Sequence, residues 1–302
     1  MKSVFKDAAN DRTVKKTLTE GELAGLHECL IRMLGEIAEA CAKNDIHPFL
    51  IYGNLLGKIR HDGFIPWDDD VDIGMTRADY DKFAEIFDRE LGDRYVASTP
   101  NGRHKAYYRF IQAGRKGTRR IKGADSVRDE EKPTDHCFID IMPFDYAPDS
   151  PIRRKVKGIR CELLMMIAGC VAFHYDDRIA AVFKRSLKGR IELAGRIALK
   201  KVFGFRSADR WYRSIDRAIR YRESDHLVCA LGKDYYLGAV YRKEDILPLQ
   251  ETELLGVKVY MPRNPDAVLT RDYGDYRRLP PEDKRQCHSA DRIEIDPGIF
   301  RA

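Results

Sequence analysis

The chain has 302 residues, 43% of them hydrophobic and 34% charged, with a formal net charge of +6. This length suffices for one large domain, or for one core with a substantial appendage. The composition excludes a disordered or low-complexity chain, and the sequence contains no internal repeat.

Hydrophobic periodicity predicts an α/β pattern in the first half of the chain. Residues 20–43 carry apolar side chains at three- and four-residue intervals, and Thr19 with Glu22 fits a capping box at the start of this helix. Shorter patterns, bounded by Gly or Pro, predict the next elements. These are a strand at 49–52 stopped by Gly53, a helix at 55–60, a strand around 70–73, a helix at 76–91, and strands at 95–97, 107–111 and 136–145, the last ended by Pro143.

The composition shifts after residue 150. Residues 152–222 are basic and mostly helical in pattern, and the tail beyond 227 predicts a strand at 254–260 and a short helix near 266–273. We therefore predict an α/β (α+β) fold with a small mixed sheet flanked by helices, followed by a mainly helical basic part. The predicted division is a core at 1–150, a basic helical segment at 151–226 and a C-terminal part at 227–302.

The basic segment carries most of the positive charge. Residues 151–222 contain 19 Lys or Arg against 6 Asp or Glu, a net charge of +13. Such asymmetry indicates an anionic partner, with nucleic acid, anionic lipid and phosphorylated glycan as candidates, although a solvated helical face remains the alternative. The apolar run at 163–173 is too short to span a bilayer and predicts a buried helix, or a shallow membrane contact through Met165, Met166 and Phe173.

Cysteine usage and the N-terminus predict the compartment. The seven cysteines are odd in number and include no C-x-x-C pair, which is typical of reduced thiols and not of a disulfide framework or a zinc site. Residues 1–16 lack the apolar region of a secretory signal. We expect a cytoplasmic protein, with a peripheral position at the inner membrane face as a further possibility.

Four aspartates, Asp68, Asp69, Asp70 and Asp72, form the most informative feature of the sequence. Their carboxylates repel one another within an apolar frame, and a hard divalent cation such as Mg²⁺ would neutralise that repulsion. A solvated acidic loop is the alternative. An EF-hand is excluded, because Ile73 stands where that loop requires Gly.

Two further features lie near these acids. Asp140 lies between two isoleucines on a predicted strand, where a carboxylate is costly unless it is paired with Arg, used in a cap, or bound to metal. The segment GNLLGK at 53–58 has one residue too few for a Walker A loop, although a glycine between a strand and a helix can bring backbone N–H groups to a phosphate.

Three blocks of the sequence resemble the LicD family, which is related to fukutin and fukutin-related protein. They are IYGNLLGKIRHDGFIPWDDDVDIGMTRADYDKF at 51–83, CFIDIMPFD at 137–145 and YGDYRRLPPEDKRQCH at 273–288. The blocks frame residues 47–288, with a weak match at 151–226.

The resemblance implies a nucleotidyltransferase fold with two metal-binding acids on one strand and a third on a later strand. The corresponding residues are the turn Gly53-Asn54, the pair Asp70 and Asp72, and Asp140. Asn54 departs from the small hydroxyl residue usual in the family, and Asp68 matches a further acid that the family requires. Asp70, Asp72 and Asp140 would hold Mg²⁺, or alternatively Mn²⁺. Basic residues expected at the donor diphosphate, each with a surface role as the alternative, are Lys58, Arg60, Arg77, Arg109, Arg285 and His288.

By this resemblance the chain is expected to be a phosphotransferase completed by its C-terminal part. It would move a phospho-alcohol from a CDP-alcohol, with CDP-choline ahead of CDP-ribitol and CDP-glycerol, to a cell-surface glycan or lipid-linked precursor, and release CMP. Asp140 or Asp68 would accept the proton of the attacking hydroxyl. The alternatives are a conventional nucleotidyltransferase that adds NMP to a small molecule or protein, and a non-enzymatic module that binds an anionic surface. Nucleic acid is the least expected partner.

Overall fold

The computed structural model describes residues 18–121, 132–173, 183–282, 285, 292–296 and 298–300. The helices are α1 (Glu20–Lys43), α2 (Tyr52–His61), α3 (Arg77–Leu91), α4 (Pro151–Ala172), α5 (Leu187–Phe203), α6 (Ala208–Ile219), α7 (Tyr235–Gly238), α8 (Lys243–Ile246) and α9 (Pro265–Tyr273). The strands are β1 (Phe49–Leu50), β2 (Asp72–Thr76), β3 (Tyr95–Ser98), β4 (Ile111–Arg115), β5 (Thr118–Ile121), β6 (Phe138–Ala147), β7 (His226–Val228), β8 (Val240–Arg242), β9 (Gln250–Leu254), β10 (Val257–Met261) and β11 (Arg292–Ile295).

A mixed sheet of nine strands forms the centre of the fold. Its main order is β3-β4-β6-β2-β1-β10-β9, β7 pairs with β6 and β8, and β5 and β11 form a separate two-stranded sheet. The β2–β6 and β1–β10 pairs are parallel, and the other pairs are antiparallel. The predicted mixed sheet flanked by helices is confirmed. It is larger than expected, because strands from the C-terminal part join it on both sides.

Helix α1 covers the sheet with the apolar face that its periodicity predicts. The buried positions include Leu26, Leu30, Leu34, Ile37 and Cys41. At its start the Thr19 N–H donates to Glu22 Oε2 over 2.8 Å, and the Glu22 N–H donates to Thr19 Oγ1 over 3.3 Å, so the capping box is present. A cap of this kind contributes about 1 kcal/mol, whereas one fully buried Leu contributes about 1.5–3 kcal/mol. Burial therefore dominates the docking of this helix.

Several predicted strand boundaries are wrong, because ladder partners distant in sequence decide where a strand begins. The predicted strand at 107–111 begins only at Ile111 and runs to Arg115, where β3 and β6 both pair with it. The predicted strand at 254–260 is a hairpin, β9–β10, whose turn contains Gly256 with φ +88°. Positive φ is accessible to glycine at little cost, so the chain reverses there.

Strand β6 does not end at Pro143, as predicted, but continues to Ala147. The N–H of Asp140 donates to Val71 O over 3.0 Å, so by alternation position 143 directs its backbone to the opposite edge of β6. On that edge β4 pairs with β6 only as far as Ile141, and β7 pairs with β6 only from Asp145 onwards. Proline is tolerated in this gap because no neighbouring strand requires its missing N–H.

An ion-pair network ties the basic helical part to the core. Arg77 at the start of α3 binds Asp145 of β6 at 2.6 Å and Asp216 of α6 at 2.7 Å. Arg220 in turn binds Asp81 at 2.6 Å and Asp216 at 2.9 Å. Asp145 and Asp216 are almost fully buried, so Arg77 compensates two charges that water cannot reach.

Part of the basic charge of residues 151–222 is used inside the protein. The Arg213 guanidinium donates to the carbonyls of Gly102 and His104 over 2.7 and 2.6 Å. Lys157 donates to the carbonyls of Ala218 and Arg220 over 2.6 and 2.9 Å. These side chains are therefore structural, and the net charge of +13 overstates what the segment presents to a partner.

Helix α4 contains most of the apolar run at 163–173. It is amphipathic, with Cys161, Met165 and Ala168 buried against the core and Leu163 and Met166 exposed. Within the described part of the chain, no helix is both long enough and apolar enough to cross a membrane.

We predict that Arg77→Met destabilises the fold by about 3–5 kcal/mol, because it leaves the buried Asp145 without a compensating charge and Asp216 with Arg220 alone. The matched control is Arg89→Met in the same helix, whose side chain is 66% exposed, and it should change stability by no more than about 0.5 kcal/mol. Urea unfolding followed by circular dichroism measures both. Equal, small effects would show that the network does not anchor the helical part.

Candidate active site

Strands β2 and β6 bring two of the predicted acids together. They pair in parallel, and Asp72 is the register partner of Asp140. Register partners in a sheet direct their side chains to the same face, about 4.8 Å apart. Gln112 of β4 is the register partner of Asp140 on its other side. Strand pairing therefore places these three polar side chains in one row across the sheet.

The remaining acids lie in the loop that leads into β2. Ligand oxygens of Asp68, Asp69 and Asp70 all lie within 4.8 Å of one another. This compact trio differs from the predicted set of Asp70, Asp72 and Asp140. One member is also engaged, because the fully buried Asp69 binds Arg120 of β5 at 2.9 Å.

Burial and mutual repulsion raise the pKa of Asp72 well above its usual value. Burial has the largest effect, followed by the charges of Asp70, Asp140 and Asp68. Since each of these carboxylates acts on Asp72, the loop and the two strands form one electrostatic cluster.

Asp140 is also shifted, with its pKa raised to about 7. Burial is the main cause, and the hydrogen bond from Gln112 Nε2 to Asp140 Oδ1, 2.9 Å long, acts in the opposite direction. The charge of Asp70 raises the pKa further, and those of Arg109 and Arg120 lower it.

The donor set fits a hard divalent cation. Carboxylate oxygens are the ligands that Mg²⁺ and Mn²⁺ prefer, and Asp68, Asp70, Asp72 and Asp140 supply them from one loop and two adjacent strands. The raised pKa values show that the fold holds these acids together at an electrostatic cost, which a bound cation would remove.

The predicted turn at Gly53 is the first turn of α2, which begins at Tyr52 and not at the predicted residue 55. The Ile51 carbonyl accepts the N–H of Asn54 over 3.1 Å, so helical hydrogen bonding has already begun. The buried Asn54 accepts the N–H of Asp72 with its Oδ1 over 2.6 Å. This side chain holds the start of β2 in place, which gives the departure from a hydroxyl residue a structural role.

Gly53 allows a carboxylate to approach the start of α2. A Cβ at this position would lie 2.5 Å from Asp68 Oδ2, closer than real Cβ atoms approach oxygen. The N-terminus of a helix stabilises negative charge, so this is a favourable place for Asp68. His27 Nε2 donates to the backbone carbonyl of Asp68 over 2.7 Å and fixes the loop from the other side.

Arg109, one of the predicted phosphate-binding cations, lies beside the carboxylates. Its charge lowers the pKa of Asp140, and its Nε donates to the carbonyl of Leu231 over 2.8 Å. The guanidinium stacks on the rings of Tyr108 and Tyr235, with 4.8 and 5.3 Å to the ring centroids. An arginine fixed in this way presents a preorganised cation for a phosphate group.

The other predicted cations divide into two groups. Arg60 and Arg285 border the site. The pKa of Arg60 is lowered, mainly by burial; the nearby Tyr273 acts to raise it, and the charge of Arg285 lowers it further. Lys58 is bound to the exposed Asp62 at 2.6 Å.

Arg77 does not join the cluster, since it follows the far end of β2 and binds Asp145 and Asp216. Its assignment to the donor diphosphate is therefore corrected to a structural role. His288 lies outside the described residues.

Comparison with known proteins agrees with this geometry. The profile of the LicD/FKTN/FKRP nucleotidyltransferase domain matches residues 45–157, which include the acids of the cluster. The lipopolysaccharide cholinephosphotransferase LicD of Haemophilus influenzae is 24% identical over 292 residues, covering 91% of this chain and 96% of that protein. Residues 45–157 therefore form a domain of the LicD family.

Two rickettsial proteins also match this chain, over shorter stretches. Uncharacterised proteins of Rickettsia typhi and Rickettsia prowazekii are each 39% identical to it, over 67 and 70 residues. The match to the Rickettsia typhi protein covers 22% of this chain and 22% of that protein. The match to the Rickettsia prowazekii protein covers 23% of this chain and 25% of that protein.

Sequence reasoning missed two residues of the LicD-family site. Gln112 is a buried amide within β4, and Arg120 is a buried guanidinium that pairs with Asp69 and stacks 5.2 Å from the ring centroid of Phe138. A polar residue inside an apolar strand is a signal for Gln112. For Arg120 we find no local signal, because its partner is 51 positions away.

The C-terminal block contributes Tyr273. Burial raises the pKa of this phenol, followed by the charges of Asp272, Asp68, Asp72 and Asp70, so the ring lies near the acids. Tyr273 is the first residue of the third block that resembles the LicD family, and the sequence alone predicts no role for it.

We predict that Asp140→Asn flattens the pH dependence of stability in the presence of a chelator. A raised folded-state pKa stabilises the fold at low pH, and that contribution is lost as the pH rises towards about 7. The variant, which retains an oxygen acceptor for Gln112, should therefore gain stability over the wild type between about pH 5 and 8. The difference should reach a few kcal/mol, since one pKa unit corresponds to about 1.4 kcal/mol.

Urea unfolding at several pH values measures this effect, with the exposed Asp93→Asn as control. Parallel profiles for wild type and Asp140→Asn would contradict the electrostatic cluster.

We predict that Gly53→Ala weakens Mg²⁺ binding, because the added Cβ displaces the Asp68 carboxylate. In a thermal shift titration the wild type should gain about 2.7 kcal/mol at 100 times its dissociation constant for Mg²⁺, and the variant should need a higher concentration. Gly25→Ala is the matched control, because a Cβ there meets nothing within 4 Å. It should keep the Mg²⁺ response of the wild type. An unchanged response in Gly53→Ala would remove Asp68 from the site.

Proposed function

We propose that this chain transfers a phospho-alcohol group from a CDP-alcohol to a glycan and releases CMP, with CDP-choline as the leading donor. The observation that carries the proposal is the register of Asp72 against Asp140, beside the loop of Asp68–Asp70, in a LicD-family transferase. The similarity to a lipopolysaccharide cholinephosphotransferase along 91% of the chain supports phosphocholine as the group and a lipopolysaccharide or similar glycan as the acceptor.

The mixed sheet with flanking helices supports a nucleotidyltransferase fold for the catalytic part. In this arrangement Asp68, Asp70, Asp72 and Asp140 would hold Mg²⁺ or Mn²⁺. The bound ion would neutralise these acids and stabilise charge on the donor diphosphate.

The chain's own groups account for the remaining steps. Arg109, fixed by Leu231 and the tyrosine rings, would bind a phosphate oxygen of the donor. The acceptor hydroxyl oxygen would form a bond to the phosphorus that carries the alcohol, and the bond from that phosphorus to the CMP oxygen would break. The hydroxyl proton would pass to Asp140 or Asp68. The products are a phosphodiester on the glycan and free CMP.

Cytidine preference and a cytoplasmic site of action belong to the same proposal. The free, buried cysteines among the described residues are compatible with that compartment.

The test is an assay with lipopolysaccharide as acceptor and CDP-choline, CDP-ethanolamine, CDP-ribitol or CDP-glycerol as donor, with CMP measured by chromatography. We expect CMP release with one donor in Mg²⁺ and none with a chelator. Asp72→Asn should lower turnover by about 100-fold or more, while the exposed Asp93→Asn should not.

Two results would contradict the proposal. Release of pyrophosphate from CTP, with CMP attached to an acceptor, would instead indicate a conventional nucleotidyltransferase. Full activity of Asp72→Asn would disprove the assigned site even if CMP is released.

A further inference from the structure

Exposed apolar side chains are concentrated on the basic helices. Among the described residues, sixteen large hydrophobic side chains are exposed, and ten of them lie between positions 152 and 205. Soluble proteins rarely leave contiguous apolar surface uncovered unless it binds something. This concentration therefore needs an explanation that the active site does not supply.

Five of these side chains form a single stripe along α4, called here the α4 stripe. Successive members are four, three, four and three residues apart, which places them on one face of the helix. Their exposed fractions range from 45% to 77%, in the order Ile152 77%, Val156 63%, Ile159 45%, Leu163 50% and Met166 48%. The opposite face, with Met165, is buried, so the predicted insertion of Met165 is wrong.

Basic side chains flank the α4 stripe on both sides. At 100° per residue, Lys155 lies on one side of the stripe, and Arg153 and Arg160 lie on the other. All three are exposed, unlike Lys157, which donates to backbone carbonyls. Glu162 is the single acidic residue of α4. An apolar stripe with basic borders is complementary to the surface of an anionic bilayer.

Helix α5, which packs against α4, repeats this pattern. Leu187, Ile191 and Val202 are 63–74% exposed on one face, and Lys188, Arg190 and Lys201 are exposed beside them. Two adjacent helices therefore offer the same chemistry.

We propose that the α4 stripe, with its flanking basic residues, docks this protein on the surface of an anionic phospholipid bilayer. The apolar side chains enter the boundary between headgroups and acyl chains, and the basic side chains contact lipid phosphates. The docking does not depend on the proposed reaction, because none of these residues belongs to the acidic cluster.

The position of the α4 stripe relates this surface to the active site. Ile159, Leu163 and Met166 also line a cavity of about 680 Å³, whose other wall includes Tyr108 and Arg109. The membrane surface would therefore lie beside the cavity that holds the predicted phosphate-binding arginine. If the proposed function holds, a lipid-anchored glycan would reach the carboxylates through this cavity.

Vesicle co-sedimentation of the full chain tests the proposal. Vesicles of equal parts phosphatidylcholine and phosphatidylglycerol are compared with phosphatidylcholine alone, across a salt series. We expect binding to the anionic vesicles only, and weakening as salt screens the basic residues. Absence of binding to anionic vesicles at low salt would overturn the proposal.

Variants separate the two parts of the surface. A double variant of the apolar part, Ile152→Ser with Val156→Ser, should weaken vesicle binding about tenfold or more. A double variant of the basic part, Lys155→Gln with Arg160→Gln, should weaken it about fivefold for each charge removed. The control is Leu255→Ser, which changes a 54% exposed apolar residue in the β9–β10 turn and should bind like the wild type. Melting curves confirm that each variant is folded.

A second copy of the chain is the competing occupant of the α4 stripe. Light scattering detects such a dimer when the wild type is compared with the double variant Ile152→Ser, Val156→Ser, called here the stripe variant. A dimer that forms in the wild type and is lost in the stripe variant would overturn membrane docking. Equal vesicle binding by wild type and the stripe variant would overturn it as well. Neither result depends on CMP release, so failure here is distinguishable from failure of the proposed function.

Discussion

Parallel pairing of β2 with β6 determines where negative charge collects in this protein, since it sets Asp72 opposite Asp140. Neighbouring groups act to maintain that pairing: Asn54 holds the N–H of Asp72, and Gln112 donates to Asp140. Burial raises the pKa of both acids most, and the charge of Asp70 raises both further. A protein that needed only stability would replace such residues with apolar ones, so their retention indicates a role for the charge itself.

Strand β6 carries two aspartates whose charges are handled in different ways. At Asp145 the charge is compensated within the protein, because Arg77 forms two hydrogen bonds to it. At Asp140 the nearby arginines are directed elsewhere: Arg120 binds Asp69, and Arg109 is fixed on the carbonyl of Leu231. One end of the strand thus joins the helical part to the core, and the other keeps its charge available for a cation.

Local sequence signals predicted the helices better than the strands, and the acids better than their partners. Helices α1 and α3 follow their predicted ranges closely because a cap and a periodic apolar face are both local. Strand β4 was misplaced because its pairing with β6 spans a distant part of the chain. The same reason explains the missed Arg120 and the misassigned Arg77. The buried aspartate that binds Arg120 is 51 positions away, and those that bind Arg77 are 68 or more positions away. The acidic cluster was accessible because its motif is contiguous.

The parallel pairing of β1 with β10 has a consequence for how the chain folds. Strand β1 has two residues, and its register with β10 joins Phe49 to Tyr260, across most of the sequence. A ribosome delivers the N-terminal part first, so β1 must wait with one edge unpaired until the hairpin of β9 and β10 emerges. Contacts of such long sequence separation slow folding. The central sheet is therefore completed late in synthesis, and the nascent chain exposes a sheet edge that a chaperone could protect.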